Sequence, residues 1–366
     1  STFFADATDE AGNTSGCSTQ GLTYTEDSLA PAIPVLSETA PTSPAHNVSP
    51  VLQGTADSGS LVRIFSNANC SGQPALTVTA DSNQHFAAQL TVAENSTQTL
   101  SADSQDAAGN QSACSNTVSY TEDSLAPSLV EFTGTNPLSP SRQNAFSVSG
   151  TAEAGTTVRL YANPSCTGTA ASTALVSALG NFLAPVTVAD NSVSVFHATM
   201  TDLAGNKSTC STGSISYIED STAPAAPLLM GTTPSSPSNN NSPVLRGSAE
   251  AGSLVEFFLT NDCSGLPVSA VTTDASGSFQ GTLSVADDTT TTFFSRATDA
   301  AGNRSMCSSI GQIFIEDSTA PSPVQQATLT PAGPSNQNVI SLSGMTDADS
   351  QVQIFANDQC LGLAVA

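Results

Sequence analysis

The chain has 366 residues, a length that accommodates about two to four domains. Seven Lys and Arg residues stand against 31 Asp and Glu residues, and the formal net charge of −24 argues against nucleic acid or an anionic membrane as a partner, since both require a basic surface. No run of about 18 apolar residues is present, so the sequence predicts no membrane span in this segment.

Short runs of alternating apolar and polar residues, separated by Gly, Pro, Asn and Ser, predict an all-β chain without helices. Between residues 31 and 126 they predict seven strands, near 33–36, 50–56, 61–66, 75–80, 85–92, 98–103 and 115–121. The predicted core consists of Leu61, Ile64, Phe65, Phe86, Leu90, Val92, Leu100, Val118 and Tyr120. Short strands at this density are typical of an immunoglobulin-like sandwich. A disordered Ser/Thr-rich stalk is the alternative, and the regular alternation argues against it.

The cysteines show that one module is copied along the chain. One series has spacings of 97, 96 and 97 residues, and a second, interleaved series has spacings of 96, 97 and 97. The string Asp-x-Ala-Gly-Asn-x-Ser-x-Cys ends at each cysteine of the first series, and a second string, Glu-Asp-Ser-(Leu/Thr)-Ala-Pro, recurs with the same period. Such periods indicate a tandem repeat. The two series are Cys17, Cys114, Cys210 and Cys307, and Cys70, Cys166, Cys263 and Cys360.

The period predicts tandem immunoglobulin-like sandwiches in a head-to-tail rod. Three whole repeats occupy residues 31–126, 127–223 and 224–320. Residues 1–30 are the C-terminal part of a preceding repeat, and residues 321–366 are the N-terminal part of a following one. Because both ends interrupt a module, we expect an internal part of a longer secreted precursor.

Each whole repeat contains one cysteine pair separated by 44 residues, which predicts three disulfides. Closing such a loop stabilises a domain by roughly 4 kcal/mol in the chain-entropy model. Zinc is the rival ligand, but two thiols per repeat without matching histidines do not complete a zinc site. Disulfides imply an extracellular, oxidising location. The predicted pairs are Cys70–Cys114, Cys166–Cys210 and Cys263–Cys307, with Cys17 and Cys360 paired to partners outside this segment.

Acidic residues recur at fixed positions beside predicted turns and linkers. Carboxylates that crowd a junction between repeats repel one another unless a cation intervenes, and Ca²⁺ accepts oxygen ligands with tolerant geometry. An alternative stays open, in which the Asp of the first string caps a turn and the linker acids are solvated. The candidate calcium ligands are Asp106, Glu122, Asp123, Asp202, Glu219, Asp220, Asp299, Glu316 and Asp317.

Three strings resemble the bacterial immunoglobulin-like (BIg) repeats of large surface adhesins. They are Asp-Ala-Ala-Gly-Asn at 299–303, Glu-Asp-Ser-Thr-Ala-Pro at 316–321 and Gly-Ser-Ala-Glu-Ala-Gly at 247–252. The resemblance implies exported, surface-attached β-sandwiches that provide reach and adhesion, often with Ca²⁺ between domains. Two features depart from the family: the cysteine pair in every repeat, and Glu-Asp-Ser where Asp-Thr-Thr is commoner.

The sequence therefore predicts a non-catalytic stalk of a bacterial cell-surface adhesin or fibre, whose partners are neighbouring repeats and an unknown surface ligand. Repetition of the same residue types favours a spacing role, because catalysis needs unlike groups that converge at one place. The first alternative is a subunit of a self-assembling extracellular filament, formed by lateral contacts or strand exchange. The remote alternative is an accessory module of a secreted enzyme.

Overall fold

The computed structural model describes residues 1–365, with the backbone alone at residue 326. These residues form β-strands and no helix, and none of them provides a helix able to cross a membrane. The chain divides into two compact units, one holding Ser1–Ser139 and Gln143–Glu219, the other holding Pro140–Arg142 and the residues from Asp220 onward. The all-β class follows the prediction.

Seven strands recur in each whole repeat, with shorter remnants before and after. Before the first repeat lie β1 (Thr2–Phe3) and β2 (Leu22–Thr23). The first repeat holds β3 (Val35–Ala40), β4 (Val51–Thr55), β5 (Leu61–Phe65), β6 (Leu76–Thr79), β7 (His85–Gln89), β8 (Ser96–Gln105) and β9 (Val118–Glu122).

The second and third repeats reproduce this order. The second holds β10 (Glu131–Asn136), β11 (Ala145–Thr151), β12 (Thr157–Tyr161), β13 (Ser172–Leu175), β14 (Asn181–Thr187), β15 (Val193–Thr201) and β16 (Ile215–Ile218). The third holds β17 (Leu228–Thr233), β18 (Val244–Ser248), β19 (Leu254–Phe258), β20 (Ser269–Thr272), β21 (Ser278–Thr282), β22 (Thr290–Thr298) and β23 (Gln312–Ile315). After it follow β24 (Gln325–Thr330) and β25 (Ser341–Met345).

Each whole repeat is a sandwich of one three-stranded and one four-stranded antiparallel sheet. In the first repeat the sheet orders are β3-β4-β7 and β6-β5-β8-β9, and the other two repeats have the same topology. Alternate residues of both sheets point inward and form one core per repeat. This is the immunoglobulin-like arrangement that the strand spacing predicts.

The core of the first repeat follows the predicted pattern except at Leu61 and at Phe65, which is buried but lies outside the core cluster. Ile64, Phe86, Leu100 and Tyr120 are buried, whereas Leu61 is 37% exposed. The prediction for Leu61 was wrong because Val62 and Ile64 point into the sandwich, and the residue before Val62 lies on the opposite face.

Several strand boundaries also shift, including the end of β7 at Gln89, three residues before the predicted end. The first strand begins at Val35 and continues to Ala40, beyond the predicted end. The last strand begins only at Val118, because the preceding residues form a loop that hydrogen-bonds to β8 through serine side chains. The loop is described below.

A glycine occupies one position on the inner face of each repeat, where a side chain has no room. A Cβ on Gly150 would lie 2.5 Å from the carbonyl oxygen of Glu131 and 2.5 Å from the ring of Phe182. Gly54 and Gly247 face the equivalent Phe rings and carbonyls. This glycine opens a third recurring string, Gly-x-(Ala/Thr)-(Asp/Glu), and allows a Phe ring to pack over the sheet.

The segment after β3 leaves the three-stranded sheet and joins the other one. Ala45 pairs in parallel with Glu122 at the end of β9, through hydrogen bonds from Ala45 N to Thr121 O and from Asp123 N to Ala45 O, both 3.1 Å long. In the third repeat, Ser238 pairs with Glu316 in the same way. The beginning and the end of a repeat are thereby joined side by side.

Candidate functional site at the linkers

The Asp-x-Ala-Gly-Asn string forms a tight turn after the long strand β8. The Oδ1 atom of Asp106 accepts the backbone N–H groups of Ala108 and Asn110, both at 2.9 Å. Gly109 takes a φ of 92°, a left-handed conformation that favours glycine. Hydrogen bonds, first of all from the Asn110 side chain, lower the pKa of Asp106.

The asparagine of the string holds the linker that enters its repeat. Asn110 Nδ2 donates to Asp106 Oδ2 at 2.9 Å and to the backbone oxygen of Asp27, in the preceding linker, at 3.0 Å. One amide group thus connects the turn with a peptide unit 83 residues earlier. We call the turn Asp, its Asn and the linker carbonyl the linker clamp.

The linker clamp recurs at each of the next two linkers. Asn206 Nδ2 donates to Asp202 Oδ2 and to Asp123 O, at 3.0 and 2.8 Å. Asn303 Nδ2 donates to Asp299 Oδ2 and to Asp220 O, at 2.9 and 2.7 Å. The second member of the linker's Glu-Asp pair therefore contributes its main chain to the clamp.

The first member of that pair fixes the linker to the repeat that it leaves. Glu122 is fully buried, and its carboxylate accepts Asn95 N at 2.7 Å and the Ser124 hydroxyl at 2.5 Å. These hydrogen bonds, the Ser124 bond first, lower the pKa of Glu122. Asn95 has a φ of 54°, in a region that asparagine tolerates. Glu219 and Glu316 are also buried and accept the N–H groups of Asn191 and Asp288.

Two further contacts order the linker itself. Asp123 Oδ1 accepts Leu125 N at 3.0 Å and forms an Asx turn. Beyond the Ala-Pro step, Ser128 N donates to Glu153 Oε2 at 3.3 Å, and Glu153 is the acid of the third recurring string. The equivalent acid Asp57 accepts Ala32 N at 2.7 Å. The linker between the first and second repeats is thus held by an acid from each side, Glu122 and Glu153.

The serine of the first string and the serine directly after its cysteine complete the edge of β8. Ser112 and Ser115 accept the N–H groups of Ser104 and Ala102 with their side-chain oxygens, both at 2.9 Å, while their own N–H groups donate back to the same two residues. A serine hydroxyl therefore stands where a neighbouring strand would offer a carbonyl. The same bonds link Ser208 and Ser211 to β15, and Ser305 and Ser308 to β22.

A disulfide secures the end of this loop in each whole repeat. The structure joins the three cysteine pairs that the 44-residue spacing predicts, with Cα–Cα distances of 5.6–5.7 Å. Cys17 and Cys360 are exposed and have no disulfide partner among residues 1–365, and their pairing with partners outside this segment stays a prediction. The joined pairs are Cys70–Cys114, Cys166–Cys210 and Cys263–Cys307.

The candidate calcium ligands occupy different environments. The turn acids Asp106, Asp202 and Asp299 use their carboxylates within the linker clamp, and the three linker Glu residues are buried. The linker residues Asp123, Asp220 and Asp317 each form an Asx turn. Among residues 1–365, no three His, Cys, Asp or Glu side chains are grouped so that they could hold a metal ion.

Three acids nevertheless line one cavity of about 440 Å³ beside the first linker. They are Asp27, Asp57 and Asp106, and each accepts a backbone N–H group, from Leu29, Ala32 and Ala108 respectively. The hydrogen bonds of Asp27 and Asp106 are the Asx bonds that the turn alternative predicts. Calcium binding stays a prediction.

Sequence reasoning singled out the acids of the recurring strings but missed the asparagine and the serines. The signal was available, because Asn and both Ser positions are identical in all four copies of the string. They hydrogen-bond to backbone groups, so the sequence contains no partner side chain from which these contacts could be predicted.

No family model matches this sequence, and no curated protein matches it. Similar solved structures include the BSP domain of a biofilm-associated protein, at 12% identity, with a TM-score of 0.22 and coverage of 81% of this chain and 68% of that one. Domains FN1–FN3 of chicken CNTN1 are 11% identical, with a TM-score of 0.30 and coverage of 78% and 99%. A putative membrane-anchored protein from Corynebacterium diphtheriae is 10% identical, with a TM-score of 0.23 and coverage of 78% and 91%.

Proposed function

We propose that this chain is a non-catalytic spacer region of an extracellular bacterial surface protein, in which BIg-like domains hold an adhesive part at a distance from the cell. The observation that carries the proposal is the linker clamp, which appears at three successive linkers with the same residues in the same roles. A device repeated at each linker serves the connection between repeats rather than any single repeat.

Two further features support this function. One disulfide in every whole repeat fits an oxidising environment outside the cytoplasm. The surface is strongly acidic, with a net charge of −24, which favours solubility and suppresses association between neighbouring chains.

The spacing role is tested by removing one repeat. Residues 127–223 run between equivalent positions of two linkers, so their deletion leaves the next clamp motif with a linker that differs only by Leu125 in place of Thr222. We expect the maximal dimension measured by small-angle X-ray scattering to fall by the length of one repeat, while the unfolding midpoint changes little. An unchanged maximal dimension would contradict a spacer.

The cellular location is tested separately. Antibodies against this chain should label intact, unpermeabilised cells of the producing bacterium, and labelling only after permeabilisation would contradict the location. Electron microscopy of secreted material tests the filament alternative through the mass per unit length of the particles. A value that corresponds to one chain in cross-section supports a spacer, and a larger value supports a filament.

Calcium at the linkers is a separate proposal, suggested by the three acids that line the cavity beside the first linker. Excess EDTA should then lower the thermal midpoint of the non-reduced chain, and added Ca²⁺ should restore it, whereas Mg²⁺ should not, because it demands a stricter geometry. An unchanged midpoint would leave the spacer proposal intact and overturn the calcium proposal.

A further inference from the structure

The disulfide of each repeat closes off the middle of the chain from its ends. Cys70 and Cys114 are separated by 44 residues, and β6, β7 and β8 lie between them. The enclosed part includes the core residues Phe86 and Leu100. Outside the closed loop lie β3, β4 and β5 on one side and β9 on the other.

A pull on the ends of a repeat loads β3, which is paired with β4, and then the parallel contact between the beginning and the end of the repeat. Ala45 exchanges two backbone hydrogen bonds with the β9 segment, and Thr121 N also donates to Ser43 Oγ at 2.9 Å. Since the paired segments run parallel and leave the repeat at opposite ends, tension loads these bonds in shear and all together. The third repeat has the same three bonds, between Ser236 or Ser238 and residues 315–317.

Once this contact breaks, the covalent path determines how far the repeat lengthens. Tension then runs from the entering linker to Cys70, crosses to Cys114 and leaves through β9. Strands β3, β4 and β5 unravel along this path, but no tension acts along β6, β7 and β8. The enclosed residues add nothing to the length, whether or not they stay folded.

We propose that each disulfide is an extension stop, which lets a repeat lengthen under load by little more than half of its chain. A repeat of 97 residues with 44 closed off leaves 53 on the load path. Full extension of the closed 44 residues would add about 150 Å more. Redox state thereby controls the extensibility of the chain, and its biological use rests on the proposed spacer function.

The experiment pulls the full chain in a force spectrometer, between peptide tags at its two termini. The exposed cysteines Cys17 and Cys360 are not used as attachment points. We expect three unfolding steps, each with a contour length equivalent to about 53 residues. Adding a thiol reductant while the unfolded chain is held under tension should then release three further steps of 44 residues. Refolding is not needed for this second measurement.

A variant with Cys166→Ser and Cys210→Ser provides an internal comparison, since the other two disulfides remain. We expect one step about 150 Å longer than the other two, which is the length of 44 extended residues, and only two releases on reduction. If the altered repeat does not fold, the two unaltered repeats still report their steps and releases. First steps equivalent to 97 residues, or no release by reductant, would overturn the proposal, whereas neither result bears on cellular location or on spacing by repeat number.

Discussion

The linker clamp has the same residues in each repeat, whereas the facing residues on the two strands next to the disulfide differ between repeats. In the first repeat Arg63 on β5 faces Asp103 on β8, with nitrogen–oxygen distances of 2.7 and 2.6 Å. In the third repeat the charges are reversed, and Glu256 faces Arg296 at 3.2 Å.

The second repeat has no such pair at this position, since Arg159 faces Thr199. A cross-strand pair requires only complementary charges, so either orientation is acceptable. The linker clamp is more demanding, because the amide of Asn206 donates simultaneously to a carboxylate and to a backbone carbonyl. Geometry restricts the clamp to one residue type, and charge balance leaves the strand pair free to vary.

The largest effect should come from reversing one charge of the strand pair. Asp103 is 6% exposed, so Asp103→Arg places two cations together and should lower the free energy of unfolding of the first repeat by about 3 kcal/mol. Adding Arg63→Glu, which reproduces the third repeat's arrangement, should recover most of that loss. Repeat-resolved amide hydrogen exchange measures both. Failure of the double variant to recover would show that orientation matters, and Arg159→Glu is the matched control with little expected change.

Removing a clamp side chain should have the next largest effect. Asn206→Ala deletes the donor shared by Asp123 O and Asp202 Oδ2, and these half-buried acceptors then lose that partner, at a cost of about 2 kcal/mol to the second repeat. Hydrogen exchange in linker residues 122–127 should also increase. Asn13→Ala is the control, because Asn13 is exposed, and unchanged linker exchange in Asn206→Ala would contradict the clamp.

A smaller effect is expected from Tyr217→Phe. The buried Tyr217 hydroxyl donates to Gln143 O at 2.7 Å, and its loss should cost about 1 kcal/mol. The third repeat has Phe314 at the same buried position, so the fold accepts the ring without the hydroxyl. Phe314→Tyr tests the converse, and urea unfolding monitored by hydrogen exchange measures both variants. No loss in Tyr217→Phe would show that the hydroxyl bond contributes nothing.

The smallest effect should be a pH dependence at the linkers. The pKa values of Asp106 and Glu122 are lowered by the hydrogen bonds that they accept, so their stabilisation is complete above the unfolded pKa values of about 4 and is lost as the pH falls through the lower folded values. Linker hydrogen exchange, corrected for its intrinsic pH dependence, should therefore rise below about pH 4. Constant corrected exchange down to pH 2 would contradict this origin.

Much of the fold was predictable because the apolar residues alternate so regularly. Alternate apolar residues such as Val62 and Ile64, or Phe86 and Ala88, indicate the inward-facing positions of a strand. The face of β5 was harder to assign at its first residue, because Leu61 is apolar and yet points outward. One exposed leucine carries no signal of its orientation.

The candidate site was predictable only in its acids. The turn function of Asp106 was one of the two alternatives that the motif left open, and its Asx bonds are present. The hydrogen bond from Asn110 to Asp27 O could not be predicted from the sequence, because the two residues are 83 positions apart. Its acceptor is also a backbone carbonyl, which every residue has. Identical spacing marks such residues as important without naming what they bind.

The serine loop beside β8 has a consequence for how neighbouring repeats fold. Copies of nearly the same strand are tethered at high local concentration, which invites strand exchange between repeats during synthesis. In the first repeat, β9 covers β8 from Ser96 to Leu100, and the hydroxyls of Ser112 and Ser115 occupy the N–H groups of the half that follows. A strand from an adjacent repeat cannot pair with these N–H groups, because the serine hydroxyls already accept their hydrogen bonds. The three serine-capped strands β8, β15 and β22 are therefore insulated from one another, so that each repeat completes itself from its own residues.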